Sequence, residues 1–79
     1  MTRDRREAFT SYRQLLVQGI AHVKAKETNM AAQFLGRVLD GNAELSVKAE
    51  AAYWMARVST SREEARNWLE ECVAMDPTH

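Results

Sequence analysis

The sequence predicts an all-α protein of four antiparallel helices arranged as two stacked helical hairpins, and three observations support this fold class. The 79 residues include only three glycines and one proline, a composition that favours helices. Apolar residues recur at steps of three and four, as one face of a helix requires. No segment alternates apolar and polar residues in the way a half-buried strand does. The length fits one domain over residues 1–79, with hairpins at about residues 5–40 and 43–76.

The first hairpin is predicted from two apolar helical patterns. The first helix should cover residues 5–26, with Thr2 or Asp4 as its N-cap. The second should cover residues 29–39, with Thr28 as its N-cap. We expect the pair Gly41 and Asn42 to end it, because both residues tolerate left-handed backbone angles. The apolar face of the first helix consists of Phe9, Tyr12, Leu16, Gly19, Ile20 and Val23.

The second hairpin should begin with a helix over residues 45–58, for which Asn42 and Ser46 are both candidate caps. The fourth helix opens with Ser61 and Glu64 at the spacing of a capping box. It should end before Pro77. Its predicted inner face consists of Ala65, Leu69, Cys72 and Val73.

Apolar positions of the second and fourth predicted helices repeat at one interval. The same spacing separates Ala31 from Ala65, Leu35 from Leu69, and Val38 from Cys72, and we call it the repeat interval. The first copy reads Leu15-x-x-Gln18-Gly19-x-x-His22, then Ala31-x-x-x-Leu35. The second reads Ala52-x-x-Met55-Ala56-x-x-Ser59, then Ala65-x-x-x-Leu69, then Pro77.

These positions resemble the tetratricopeptide repeat family over residues 15–77, and the repeat interval matches the period of that family. The resemblance implies a fragment of a right-handed superhelix, with Gly19 and Ala31 where two helices cross closely. Leu35 and Leu69 would then be the larger core residues. Ala56 and Ala65 are closer together in the sequence than Gly19 and Ala31, by about one helical turn. This difference predicts a shorter second turn and a longer link between the hairpins.

The number of repeats bears on the boundaries of the protein. Repeat arrays usually need three or more units to cover their apolar faces, and only two are present in this chain. We therefore expect a fragment of a longer protein or a chain that pairs with itself.

Composition and motifs disfavour several classes of function. Eleven basic and eleven acidic residues give a formal net charge of zero, whereas nucleic-acid binders usually carry a basic excess. No phosphate loop, zinc spacing or catalytic constellation is present, so we expect a non-catalytic protein without cofactor or metal. No run reaches the roughly 18 apolar residues of a membrane span. The single cysteine, Cys72, indicates a reducing compartment such as the cytoplasm.

The resemblance also implies where a partner binds. In tetratricopeptide repeats the first helix of each hairpin lines a groove for a protein or peptide, or here for the remainder of a longer chain. The matching positions are Arg13, Leu16, Ile20, Lys24, Glu50, Tyr53 and Arg57. The alternative is that Leu16, Ile20 and Tyr53 belong to the core. Two tryptophans, Trp54 and Trp68, are equally compatible with a core and with a binding surface.

Two further hypotheses remain. The chain could form a homodimer through an exposed apolar flank of Trp68, Val73 and Met75. It could also be a helical nucleic-acid-binding domain, although its balanced charge argues against this.

Overall fold

The computed structural model describes residues 11–78, and this part of the chain consists of four α-helices without any strand. The helices are α1 Tyr12–Lys24, α2 Thr28–Asp40, α3 Leu45–Val58 and α4 Arg62–Met75. The predicted all-α class is therefore confirmed, and so are the predicted bounds of the third helix. The candidate caps Thr2 and Asp4 and the apolar residue Phe9 lie outside the described residues.

The helices form two antiparallel hairpins that stack side by side. Within the hairpins α1 packs on α2 and α3 on α4, and the hairpins join where α3 packs on both α1 and α2. Among these helices the backbone of α4 lies close to that of α3 alone. The first three helices therefore contact one another, and α4 extends the stack on α3.

Helix boundaries recur at the repeat interval seen in the sequence. This interval separates the end of α1 at Lys24 from the end of α3 at Val58, and the start of α2 at Thr28 from the start of α4 at Arg62. The two hairpin turns, 25–27 and 59–61, are equal in length, and the link between the hairpins covers only 41–44. The predicted shorter second turn and longer link are therefore wrong. The residue structurally equivalent to Gly19 is Tyr53, and Ala56 instead corresponds to His22.

Within residues 11–78 the non-glycine residue with a positive φ is not at the predicted helix end, Gly41 and Asn42. Gly41 has φ −87° and ψ −175°, an extended conformation, whereas Lys26 in the first hairpin turn has φ 63°. Gly41 is needed for a different reason, because a Cβ atom there would collide with the ring of Tyr12. The Tyr12 hydroxyl accepts a hydrogen bond from the backbone N–H of Asn42 at 3.2 Å. This hydrogen bond connects the start of α1 to the link between the hairpins.

Helix capping confirms one predicted cap and corrects three. The Ser61 hydroxyl accepts from the backbone N–H of Glu64 at 3.0 Å, as the capping box predicts. Thr28 is instead the first residue of α2, after Glu27. Neither Asn42 nor Ser46 caps α3, which follows Glu44, and neither Glu27 nor Glu44 makes a side-chain capping bond. At α1 the cap within the described chain is Ser11, whose hydroxyl accepts from the Gln14 N–H at 3.1 Å.

The main core lies where α1, α2 and α3 meet. Gly19 permits close packing of α1 on α2, since a Cβ atom there would lie 2.7 Å from Cδ2 of Leu35. Leu35 is fully buried, which confirms its predicted place in the core. The buried members of this cluster are Leu15, Leu16, Leu35, Val38, Val47 and Ala51.

A second and smaller cluster joins α3 to α4. Ala49 and Ala52 of α3 pack against Cys72, with Trp68 and Met75 of α4 at the edge. The predicted inner face of α4 is correct for Cys72. It is wrong for Leu69 and Val73, which are 44% and 57% exposed. Because Trp68 and Met75 pack on α3 in their place, α4 is rotated and Leu69 and Val73 lie on its outer flank.

Candidate interaction surfaces

Two aromatic residues and an arginine form an ordered cluster on α3. The rings of Tyr53 and Trp54 meet edge to face, with centroids 5.3 Å apart and an interplanar angle of 85°. The guanidinium carbon of Arg57 lies 5.7 Å from the Trp54 ring centroid, within cation–π range. Arg57 also donates a hydrogen bond from Nη1 to the Tyr53 hydroxyl at 3.2 Å. Arg57 is therefore held over the aromatic pair.

The spacing of these residues explains why they meet. Residues four apart on a helix lie one turn above each other, which brings Arg57 over Tyr53. Trp54 packs against the main core, and its indole nitrogen is buried without a hydrogen-bond partner. Tyr53 packs against the second cluster. The cluster is therefore anchored in both parts of the core and reaches the surface through the exposed Arg57.

The predicted groove residues of α1 divide between core and surface. Leu16 is 8% exposed and belongs to the main core, as the alternative interpretation held. Ile20 is half-buried and packs against the same cluster. Lys24 is exposed near the end of the helix. Arg13 is exposed and pairs with Glu44 at 3.5 Å.

The structure brings together only part of the predicted set. Tyr53 and Arg57 are in contact, whereas Arg13 lies beside Glu44 before the start of α3. Arg57 lies about 20 Å further along that helix, at roughly 1.5 Å per residue. Glu50 is half-buried on α3. A partner contacting Arg13, Tyr53 and Arg57 together would therefore have to extend along most of the length of α3.

The three residues predicted for self-association do not share one face. Trp68 and Met75 are half-buried and pack on α3. They line a groove of about 440 Å³ between the end of α2 and α4, with Leu39, Asp40, Lys48, Asn67 and Glu71. Val73 points away from this groove and lines a different surface with Leu69.

Two titratable side chains in residues 11–78, those of His22 and Cys72, are shaped by contacts with neighbouring residues. His22 stacks on Phe34 with ring centroids 5.2 Å apart and hydrogen-bonds Glu27. Burial raises the pKa of the Cys72 thiol, and the nearby charges of Glu50 and Asp76 raise it further. A raised pKa keeps the thiol protonated and weakly nucleophilic at neutral pH. No group of three potential metal ligands occurs within this part of the chain.

Sequence reasoning assigned neither Val17 nor Leu69 to a surface, and it left Trp54 open between the core and a binding surface. Trp54 could have been joined to the predicted site, because it adjoins Tyr53 and lies three positions before Arg57. Val17 is 65% exposed and was assigned to no surface. Leu69 was placed in the core from its apolar spacing, and periodicity alone did not distinguish the buried stripe of α4 from an exposed one.

Comparisons of the chain with protein-family models, with curated proteins and with solved structures found no match. Within residues 11–78, no helix combines the length and apolar character needed to cross a membrane.

Proposed function

We propose that this protein is a non-catalytic interaction module whose tetratricopeptide-like hairpins bind a protein or peptide at the Tyr53–Trp54–Arg57 cluster. The observation that carries the proposal is the anchored geometry of this cluster. Tryptophan, tyrosine and arginine are the residues most enriched at binding hot spots. Here all three are adjacent, and Arg57 is already oriented by a hydrogen bond and by a ring.

The order within the cluster supports binding on energetic grounds. A side chain fixed before binding loses less conformational entropy when a partner arrives. The remaining guanidinium donors of Arg57 suit a carboxylate or a backbone carbonyl of the partner, and the aromatic rings suit an apolar side chain beside it. A peptide with an apolar residue next to an acidic one has the matching chemistry.

The proposal also includes the tetratricopeptide-like arrangement of the hairpins and a reducing compartment, the cytoplasm, as the location of the protein. The recurrence of the helix boundaries at the repeat interval and the packing of α3 on both helices of the first hairpin support a tetratricopeptide-like architecture. A buried free thiol at Cys72 is compatible with a cytoplasmic protein.

A peptide selection tests the proposed surface. Peptides that bind the wild-type chain would be selected from a random phage-displayed library and then titrated by fluorescence anisotropy. We expect the double substitution Tyr53→Ala and Arg57→Ala to weaken their binding by roughly tenfold or more, since loss of a hot spot costs about 2 kcal/mol or more.

The matched control replaces two exposed residues of α2, with Gln33→Ala and Arg37→Ala. This variant should bind the selected peptides as the wild type does, and both variants should keep the helical circular dichroism spectrum. If peptides bind the cluster variant and the wild type equally well, the proposed surface is wrong.

A further inference from the structure

Two surfaces with exposed apolar side chains, one on α1 and one on α4, are not covered by another helix of the described chain. One is a shallow cavity of about 470 Å³ on α1, lined by Arg13, Gln14, Val17 and Gln18. The other, of about 480 Å³, is on α4 and is lined by Arg66, Leu69, Glu70, Val73 and Ala74. We refer to them as the α1 face and the α4 face. Val17, Leu69 and Val73 are the large apolar residues that these faces expose.

The repeat interval relates the α4 face to a surface that is buried within the molecule. Leu69 and Val73 correspond to Leu35 and Leu39 of α2. Leu35 is fully buried in the main core together with residues of α3, and Leu39 packs against both core clusters. The α4 face is therefore the counterpart of the α2 surface on which α3 packs.

The same relation applies to the α1 face. Arg13 and Val17 correspond to Val47 and Ala51 of α3. Val47 and Ala51 are buried in the cluster that contains Leu35 of α2. The α1 face is therefore the counterpart of the α3 surface that packs on α2, and the two exposed faces correspond to the two sides of one existing interface.

We propose that the α4 face of one copy binds the α1 face of a second copy, and that this contact reproduces the packing between α2 and α3. Leu69 and Val73 of one molecule then cover Val17 of the next. The proposal goes beyond the interaction module, because it concerns neither the Tyr53–Trp54–Arg57 cluster nor a foreign peptide.

Charge supports a second copy as the occupant. Arg13 provides a basic group at the α1 face, and the α4 face carries both Arg66 and Glu70, of which Glu70 has the charge opposite to that of Arg13. Each is now in an exposed ion pair, Arg13 with Glu44 at 3.5 Å and Glu70 with Arg66 at 3.8 Å. Exposed pairs of this kind contribute little to stability, so exchanging partners across a new contact costs little.

The contact joins two different surfaces, so every bound copy still presents one unfilled face. Such a heterologous interface extends into an open chain or closes into a ring, whereas a symmetric interface stops at two copies. The average mass in solution should therefore rise beyond that of a dimer as the protein concentration increases.

Sedimentation analysis of two single-face variants tests the proposal. Val17→Asp should disable the α1 face and Leu69→Asp the α4 face. We expect each variant alone to be monomeric, with association weakened by at least about tenfold. An equimolar mixture should form dimers and nothing larger, because one intact face of each kind remains. Met30→Asp, at an exposed apolar residue outside both faces, is the control and should associate as the wild type does.

Charge substitutions give an independent test of the same contact. Arg13→Glu or Glu70→Arg alone should weaken association several-fold, and the doubly substituted chain should regain it, because the opposite charges meet again. Circular dichroism of every variant should match the wild type, since all these side chains are exposed.

Three results would overturn the proposal. The first is a wild-type chain that stays monomeric up to millimolar concentration. The second is a dimer that persists in Val17→Asp but is lost in Leu69→Asp, which would indicate a symmetric contact through α4. The third is association that neither aspartate substitution changes.

Discussion

Two glycines in helix interiors, Gly19 and Gly36, differ in the space available for an added Cβ atom. A Cβ atom on Gly19 would lie 2.7 Å from Cδ2 and 2.9 Å from Cγ of Leu35. Leu35 is fully buried, so its side chain is surrounded by other core residues. A Cβ atom on Gly36 would meet nothing within 4 Å. The intrinsic helix preference of alanine is therefore available at Gly36 and is opposed by a collision at Gly19.

We expect Gly19→Ala to lower the free energy of unfolding by about 1–2 kcal/mol, since overpacking costs more than the helix propensity gained. Gly36→Ala should raise it by up to about 1 kcal/mol. Urea unfolding followed by circular dichroism in the far ultraviolet measures both. Equal stabilisation by the two substitutions would mean that α1 and α2 do not approach closely at Gly19.

At the scale of the helix, serines at two helix starts have different roles. Ser61 accepts a hydrogen bond from the Glu64 N–H, whereas Ser46 is the second residue of α3 and is exposed. Ser61→Ala should therefore destabilise the protein by about 0.5–2 kcal/mol, the usual contribution of an N-cap. Ser46→Ala should change the free energy of unfolding by less than about 0.5 kcal/mol. The same urea titration applies, and a larger loss at Ser46 than at Ser61 would contradict the assigned caps.

The positions of the helices along the chain were predictable from the sequence. The side of each helix that is buried was only partly predictable. The bounds of α3 and the Ser61 cap follow from local patterns, which the backbone obeys without reference to the rest of the fold. The buried side of α4 does not follow, because Leu69 and Val73 form one apolar stripe while Trp68 and Met75 form another. The small alanines of α3 in the second cluster decide between them, since they admit the large Trp68 side chain. That choice depends on a neighbouring helix and is not encoded in α4 alone.

The predicted interaction surface shows the same limit. The spacing of Tyr53 and Arg57 is local to one helix, and these two residues are indeed in contact. Leu16 was assigned to a groove by its place in the repeat, but it is buried in the core where α1 meets α2 and α3. Arg13 forms an ion pair with Glu44 in the link between the hairpins. The positions of Leu16 and Arg13 depend on how two hairpins meet, which no single helix specifies.

Across the whole molecule, equivalent positions in the two hairpins differ in their surroundings. Leu35 lies between α1 and α3, whereas its counterpart Leu69 lies on the outer flank of the last described helix. A domain of this size has a stability of roughly 4–12 kcal/mol, so one central side chain can account for much of it.

Leu35→Ala should cost about 2–5 kcal/mol, because it leaves a cavity at the meeting point of three helices. Leu69→Ala should cost less than about 1 kcal/mol in the monomer, because much of that side chain is already exposed. Thermal and urea unfolding at a concentration where the wild type is monomeric compare the two. Similar losses would indicate that α4 is covered on both sides.

The equal lengths of the two hairpin turns have a consequence for how the chain could change in size. A segment such as 25–58 contains one hairpin turn, α2, the link between hairpins and α3, and both of its ends fall where a helix gives way to a turn. A tandem duplication of this segment would therefore reproduce turns and links that the backbone already uses. Lengthening or shortening the protein by one repeat interval therefore requires no new type of junction between helices. The segment 25–58 can serve as a modular unit in evolution and in engineering.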